Sequence, residues 1–200
     1  MFSDGQAGSI VIMGVTVGAS LIGLFSAPAL IDKSLFRPYW FFRERQYPTL
    51  IAHGIVHADV GHLLMNMLTF YFFGFPLERY LGTAPFVILY LVGLVASSGY
   101  TWYRHHRNPQ YATLGASGAV SAVLFAYIVY DPFSTLYIIP IPIPIPAFLF
   151  AVGYLWYTWW AARQQRDRIN HDAHLLGALS GVVFVAVTDP GAFQRLLGMF

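Results

Sequence analysis

Leu114-Gly115-Ala116-Ser117-Gly118-Ala119-Val120 places one hydroxyl among very small residues at the head of an apolar segment. A serine so placed serves as a nucleophile when a base and donors for an oxyanion reach it. The chain offers candidates for both. Asp172-Ala173-His174-Leu175-Leu176-Gly177 opens a later apolar segment and carries an imidazole. His62-Leu63-Leu64-Met65-Asn66 opens an earlier one and carries two polar side chains four residues apart. The glycines do not match a nucleophile elbow, which needs Gly two before and two after the serine. Gly115 fits the first place, but Gly118 follows directly.

Composition sets the class. Of 200 residues, 57% are hydrophobic and only 10% charged, where a soluble domain carries about a quarter. Nine acids nearly cancel eleven bases, so net charge implies no nucleic acid or other strongly charged partner. With no cysteine there is no disulfide and no thiolate ligand. The length suits one domain over residues 1–200, and no internal repeat is visible.

Working outward, the pattern predicts six apolar spans, at about 9–30, 60–75, 85–102, 114–130, 147–160 and 173–188. Asp59 is a candidate N-cap for the second, and Gly74 with Pro76 should end it. Glu78 and Arg79 then read as a short polar turn closed by Gly82. Asp32 to Tyr47 mixes bases with aromatics and reads as an interfacial loop. Pro140 to Pro146 alternates Pro and Ile, which excludes a helix interior and predicts an extended connector, with Pro146 near the start of the next helix.

Six antiparallel spans make the second, fourth and sixth run the same way. His62, Ser117 and His174 then lie within about 6 Å of depth of their helix starts, at 1.5 Å per residue. His62 and Asn66 share a face, as do His174, Gly177 and Gly181. The glycines allow close helix approach, and Gly115, Ala116, Gly118 and Ala119 offer the matching surface.

On these motifs the chain resembles a rhomboid intramembrane serine protease of the six-span prokaryotic type. Gly115-Ala116-Ser117-Gly118 matches the family's Gly-x-Ser-Gly, and His174 with Gly177 and Gly181 matches its His-x-x-Gly-x-x-x-Gly. His57 through Met67 resembles the second-span motif, and Glu78 with Gly82 the family's structural Glu-x-x-x-Gly turn. The resemblance covers roughly Ile51 to Gly181. It implies an all-α membrane protein, a six-transmembrane-helix rhomboid-like bundle. It also implies Ser117 as nucleophile, His174 as general base, and His62, Asn66 and the Ser117 N–H as oxyanion donors. Gly115, Gly118, Gly177, Gly181 and His57 are supporting residues. The implied substrates are transmembrane segments with helix-weakening residues near the membrane surface. The expected location is a multi-pass position in the cell (inner) membrane.

There are departures. The family's Trp-Arg pair before the second span is absent: Tyr47-Pro48-Thr49 stands there. Many members carry a tyrosine four residues after the nucleophile, stacked on the histidine, and here that position is Ser121. No acid in the sixth span shares the His174 face, so a dyad is expected rather than a triad. His171 with His174, and His53 with His57, are pairs without a clear third ligand, so no metal and no cofactor is expected. Two other function classes fit the same composition: an inactive rhomboid-like protein that binds membrane clients, and a small proton-linked transporter. The latter predicts repeats or broken helices. Loop charge conflicts with the resemblance over orientation. Lys33, Arg37, Arg43, Arg45, Arg104, Arg107, Arg163, Arg166 and Arg168 lie on the side of the candidate site, against Arg79 and Arg195 opposite. The positive-inside rule places that side in the cytoplasm, whereas six-span relatives usually face it outward.

Overall fold

Prolines, glycines and caps divide the chain into ten helices and one hairpin among the residues described by the computed structural model, 5–138, 141–164 and 170–198. Arg166 and Arg168 of the loop-charge count lie outside the described residues. The first apolar stretch is α1, Ala7–Phe25. It stops five residues short of the expected Leu30. Proline disfavours a helical residue before it, and Ala27 accordingly sits at φ −141°, ψ 73°, ahead of the short helix α2, Pro28–Ser34. Two more short helices, α3 (Pro38–Phe41) and α4 (Thr49–Ala52), complete the segment before the second span.

The second span is α5, Val60–Leu81, and it corrects the expected end at Gly74 and Pro76. Pro76 lies inside the helix, and Glu78 and Arg79 belong to its last turns, with Gly82 as C-cap at φ 80°. An interior proline costs about 3 kcal/mol or more. Tertiary contacts offset it: the Glu78 carboxylate accepts from Gly8 N at 2.9 Å, Ser9 N at 2.7 Å and the Thr83 hydroxyl at 2.7 Å. Hydrogen bonds to a charged group contribute roughly 1.5–3 kcal/mol each, so three of them outweigh the proline. Gln6 Nε2 also donates to Phe75 O at 3.2 Å. The end of α5 is thereby pinned to the start of α1.

The next long helices are α6 (Thr83–His105) and α7 (Ser117–Tyr130). The hairpin β1 (Thr135–Ile138) and β2 (Ile141–Pro146) follows, antiparallel, with Thr135 opposite Pro146 and Tyr137 opposite Pro144. Pro140 lies outside the described residues; from Ile141 to Pro146 the stretch is extended as expected, but paired. In the regular part of the ladder Pro144 and Pro146 lie two apart, so their missing N–H groups fall on one side of the strand, which a two-stranded ribbon tolerates. α8 (Ala147–Gln164) begins directly after Pro146, then come α9 (His171–Thr188) and α10 (Pro190–Leu197).

Four helices, α1, α5, α6 and α9, are long and apolar enough to cross a membrane, and α7 is a shorter apolar helix of 14 residues. α7 is the axis of the bundle: Gly118 through Ala126 are buried without interruption, and α5, α6 and α9 pack round it. Val11, Val15 and Phe25 of α1, Val152 and Trp156 of α8 and Val187 of α9 face outward instead. Buried small residues at the axis and large apolar side chains outside are what a lipid-facing α bundle requires. The chain is an all-α membrane bundle.

Candidate active site

Ser117 is the first residue of α7 and is half-buried. The turn before it needs Gly115, whose φ is +115°; a side chain there would also collide with the His62 ring. Two histidines hold the turn. Gly115 N donates to His53 O at 2.7 Å, and Ala116 N donates to His57 Nε2 at 3.4 Å. His57 Nε2 therefore accepts, which leaves the proton on Nδ1, 3.1 Å from Ser20 Oγ, and Ser20 donates on to Ile55 O at 3.2 Å. His57 is fully buried. Desolvation, with the nearby His62, pushes its pKa down to about 4 against a weaker opposing pull from Asp59. Burial likewise lowers His53, whose Nδ1 faces Thr49 O at 2.8 Å and Nε2 the Ser98 hydroxyl at 3.1 Å. Both are neutral rings that shape a loop.

His62 is the third residue of α5. Asp59 caps that helix as expected, accepting from His62 N at 2.7 Å. The His62 ring stands edge-on to His57, centroids 4.9 Å apart. Asn66, one turn on, is buried and directs Nδ2 to His62 O at 3.0 Å. An amide nitrogen has two N–H groups, so a second donor remains for a ligand.

His174 is the fourth residue of α9. Asn170 caps that helix, accepting from Ala173 N at 3.0 Å and donating to Thr101 Oγ1 at 3.0 Å. Asp172 turns to Arg104 (3.5 Å) and His105 (3.9 Å). α9 lies directly on α7 through its glycines. A side chain at Gly177 would run into the Gly118 carbonyl, one at Gly181 into the Ala122 backbone, and one at Gly118 into Ser97 of α6.

These helix starts open into one cavity of about 810 Å³, lined by Ser117, His174, His62 and Asn66 and, lower down, by Phe72, Tyr127 and Leu136. A second, polar cavity of about 10 Å³ lies behind Ser117, between His53, Ser98 and Asn170. The structure thus brings together, in one recess, the four side chains that the sequence singled out for chemistry. Among the described residues no group of three or more His, Asp or Glu side chains could hold a metal.

A family model described as a rhomboid domain matches residues 44–190. The chain belongs to the rhomboid family. It is 30% identical over 171 residues to RHOMBOID-like protein 12, mitochondrial, of Arabidopsis thaliana, covering 76% of this chain and 50% of that protein. It is 30% identical over 190 residues to Rhomboid protein 1, mitochondrial, of Saccharomyces cerevisiae, covering 86% of this chain and 51% of that one. It is 35% identical over 81 residues to Rhomboid protease GlpG of Haemophilus influenzae, covering 40% of each chain. The chain spans about half the length of the two mitochondrial relatives. In this rhomboid, sequence reasoning missed Asn170, although Asn three residues before Ala173 is a local cap signal, and Tyr154 of α8, which lines the same cavity.

Proposed function

We propose that the chain is an intramembrane serine endopeptidase that cleaves transmembrane segments of other proteins with a Ser117–His174 dyad. The observation that carries this is the single recess shared by Ser117, His174, His62 and Asn66 at the starts of three helices. Polar side chains at membrane depth are tolerated where they line such an enclosed recess. Family membership supports the reading, and two relatives bear the name protease.

In this mechanism His174 takes the proton of Ser117 as its Oγ attacks the peptide carbonyl. The tetrahedral oxyanion is held by the Ser117 N–H, the second Asn66 N–H and His62. Collapse breaks the C–N bond, and His174 returns the proton to the leaving amine. Water then cleaves the acyl-enzyme by the same route in reverse. The small polar cavity behind Ser117 has about the volume one water needs, which is roughly 10–15 Å³. Losing one oxyanion donor costs on the order of 3–4 kcal/mol of transition-state stabilisation. A substrate helix must unwind to expose its carbonyl, which favours segments with helix-weakening residues. The partners are membrane-protein substrates and the bilayer.

The location proposed from sequence is the cell (inner) membrane. The names of the two longest-matching relatives favour a second reading, a mitochondrial membrane. The chemistry is tested by labelling the purified protein with a fluorophosphonate. Wild type should react at Ser117, and Ser117→Ala should not. A wild type that reacts no faster than Ser117→Ala would support the inactive client-binding reading instead.

A further inference from the structure

We infer that Tyr154, on α8, is the residue that orients the His174 imidazole. The inference rests on the dyad reading above. The Tyr154 and His174 rings are nearly parallel, with planes 15° apart and centroids 6.4 Å apart, inside the roughly 4.5–7 Å range of aromatic pairs. Tyr154 is itself held. Its hydroxyl lies 3.0 Å from Ser121 Oγ, and its ring packs on Phe125 at 5.4 Å and Phe150 at 5.6 Å. Ser121 is buried one turn along α7 from Ser117. The hydroxyl therefore ties α8 to the helix that carries the nucleophile, and this sets the Tyr154 ring beside the imidazole of the base. The His171 ring also meets His174, with centroids 6.0 Å apart and planes at 75°. The imidazole thus has ring neighbours on α8 and on its own helix.

Tyr154 acts through His174 and is a positioning residue. It also lines the large cavity, so a direct substrate contact is the competing role, and the two separate kinetically. Loss of positioning lowers kcat and the reactivity of Ser117 toward a small probe, whereas loss of substrate contact raises KM.

The test uses the purified full chain, measuring the fluorophosphonate labelling rate together with kcat and KM on a transmembrane peptide. Tyr154→Ala should lower labelling and kcat roughly 10- to 100-fold, since about 1 Å of misplacement costs that much, with KM changed by less than about threefold. Tyr154→Phe keeps the ring and should keep most of the rate. Adding Ser121→Tyr to Tyr154→Ala should restore a large part of it, because the two hydroxyls are 3.0 Å apart and the new ring grows into the vacated space from the α7 side. Three results would overturn the inference: wild-type labelling in Tyr154→Ala, a rise in KM alone, or equal damage in Tyr154→Phe and Tyr154→Ala. If Tyr154→Ala does not fold, Tyr154→Leu takes its place in the same comparison. A wild type that labels no better than Ser117→Ala removes the dyad reading and this inference together. A reactive wild type with unaffected Tyr154 variants removes only this inference.

Discussion

At the scale of single residues, His57 shows how a ring outside the chemistry shapes the recess. Its unprotonated Nε2 receives the Ala116 N–H, so protonation removes the acceptor that holds the turn before Ser117. The sign follows from burial. The folded pKa lies near 4, below the ordinary 6.5. The contribution to stability is complete above pH 6.5 and is lost as pH falls from there to about 4, amounting to about 3 kcal/mol at 1.36 kcal/mol per unit. The unfolding midpoint in detergent should therefore fall across this window, and His57→Gln should flatten the dependence. Parallel curves for the two proteins would contradict the assignment. His57, His62 and Asn66 were legible because they sit on one short motif whose spacing is helical. Tyr154 was not. Nothing in an aromatic-rich fifth span says which ring faces His174, since that depends on how α8 is rotated against α7 and α9.

At the scale of elements, the contact between α7 and α9 is set by absent side chains. Gly177 faces the Gly118 carbonyl and Gly181 the Ala122 backbone. Gly177→Val or Gly181→Leu should push α9 away and separate the proposed base from the nucleophile, lowering cleavage on the order of a hundredfold. Near-normal turnover in both would mean that other contacts fix the helices. These glycines were readable as a small-residue face on one helix meeting another. The course of α5 past Pro76 was not, because the compensation is remote in sequence: Glu78 accepts from Gly8 and Ser9 near the other end of the chain. The pairing of β1 with β2 escaped for a related reason. Alternating prolines report an extended backbone but not whether a second strand lies beside it.

At the scale of the whole molecule, parallel α5, α7 and α9 put three helix starts on one side, and the helix ends and loops on that side carry most of the positive charge. Lys33, Arg37, Arg43, Arg45, Arg104, Arg107 and Arg163 lie there, with Arg79 and Arg195 opposite. From the positive-inside rule we propose that the recess faces the inner compartment, against the outward face usual for six-span relatives. A cysteine introduced at Gln46 should react with an impermeant thiol reagent only after the membrane is opened, and reaction in intact cells would reverse the orientation. The class of fold was legible because lipid demands long apolar helices whatever their partners, while of the six expected spans four are helices long and apolar enough to cross a membrane. Shared depth followed from topology, while the convergence of side chains on one cavity needed the packing itself. The proposed function depends on one chemical event at that cavity. The most direct measurement is incubation of the purified chain in lipid with a panel of transmembrane peptides, wild type against Ser117→Ala and His174→Ala, with products identified by mass. Wild type should cleave near the membrane surface, and neither variant should cleave above background. Turnover that survives in a folded Ser117→Ala protein would contradict the proposed function.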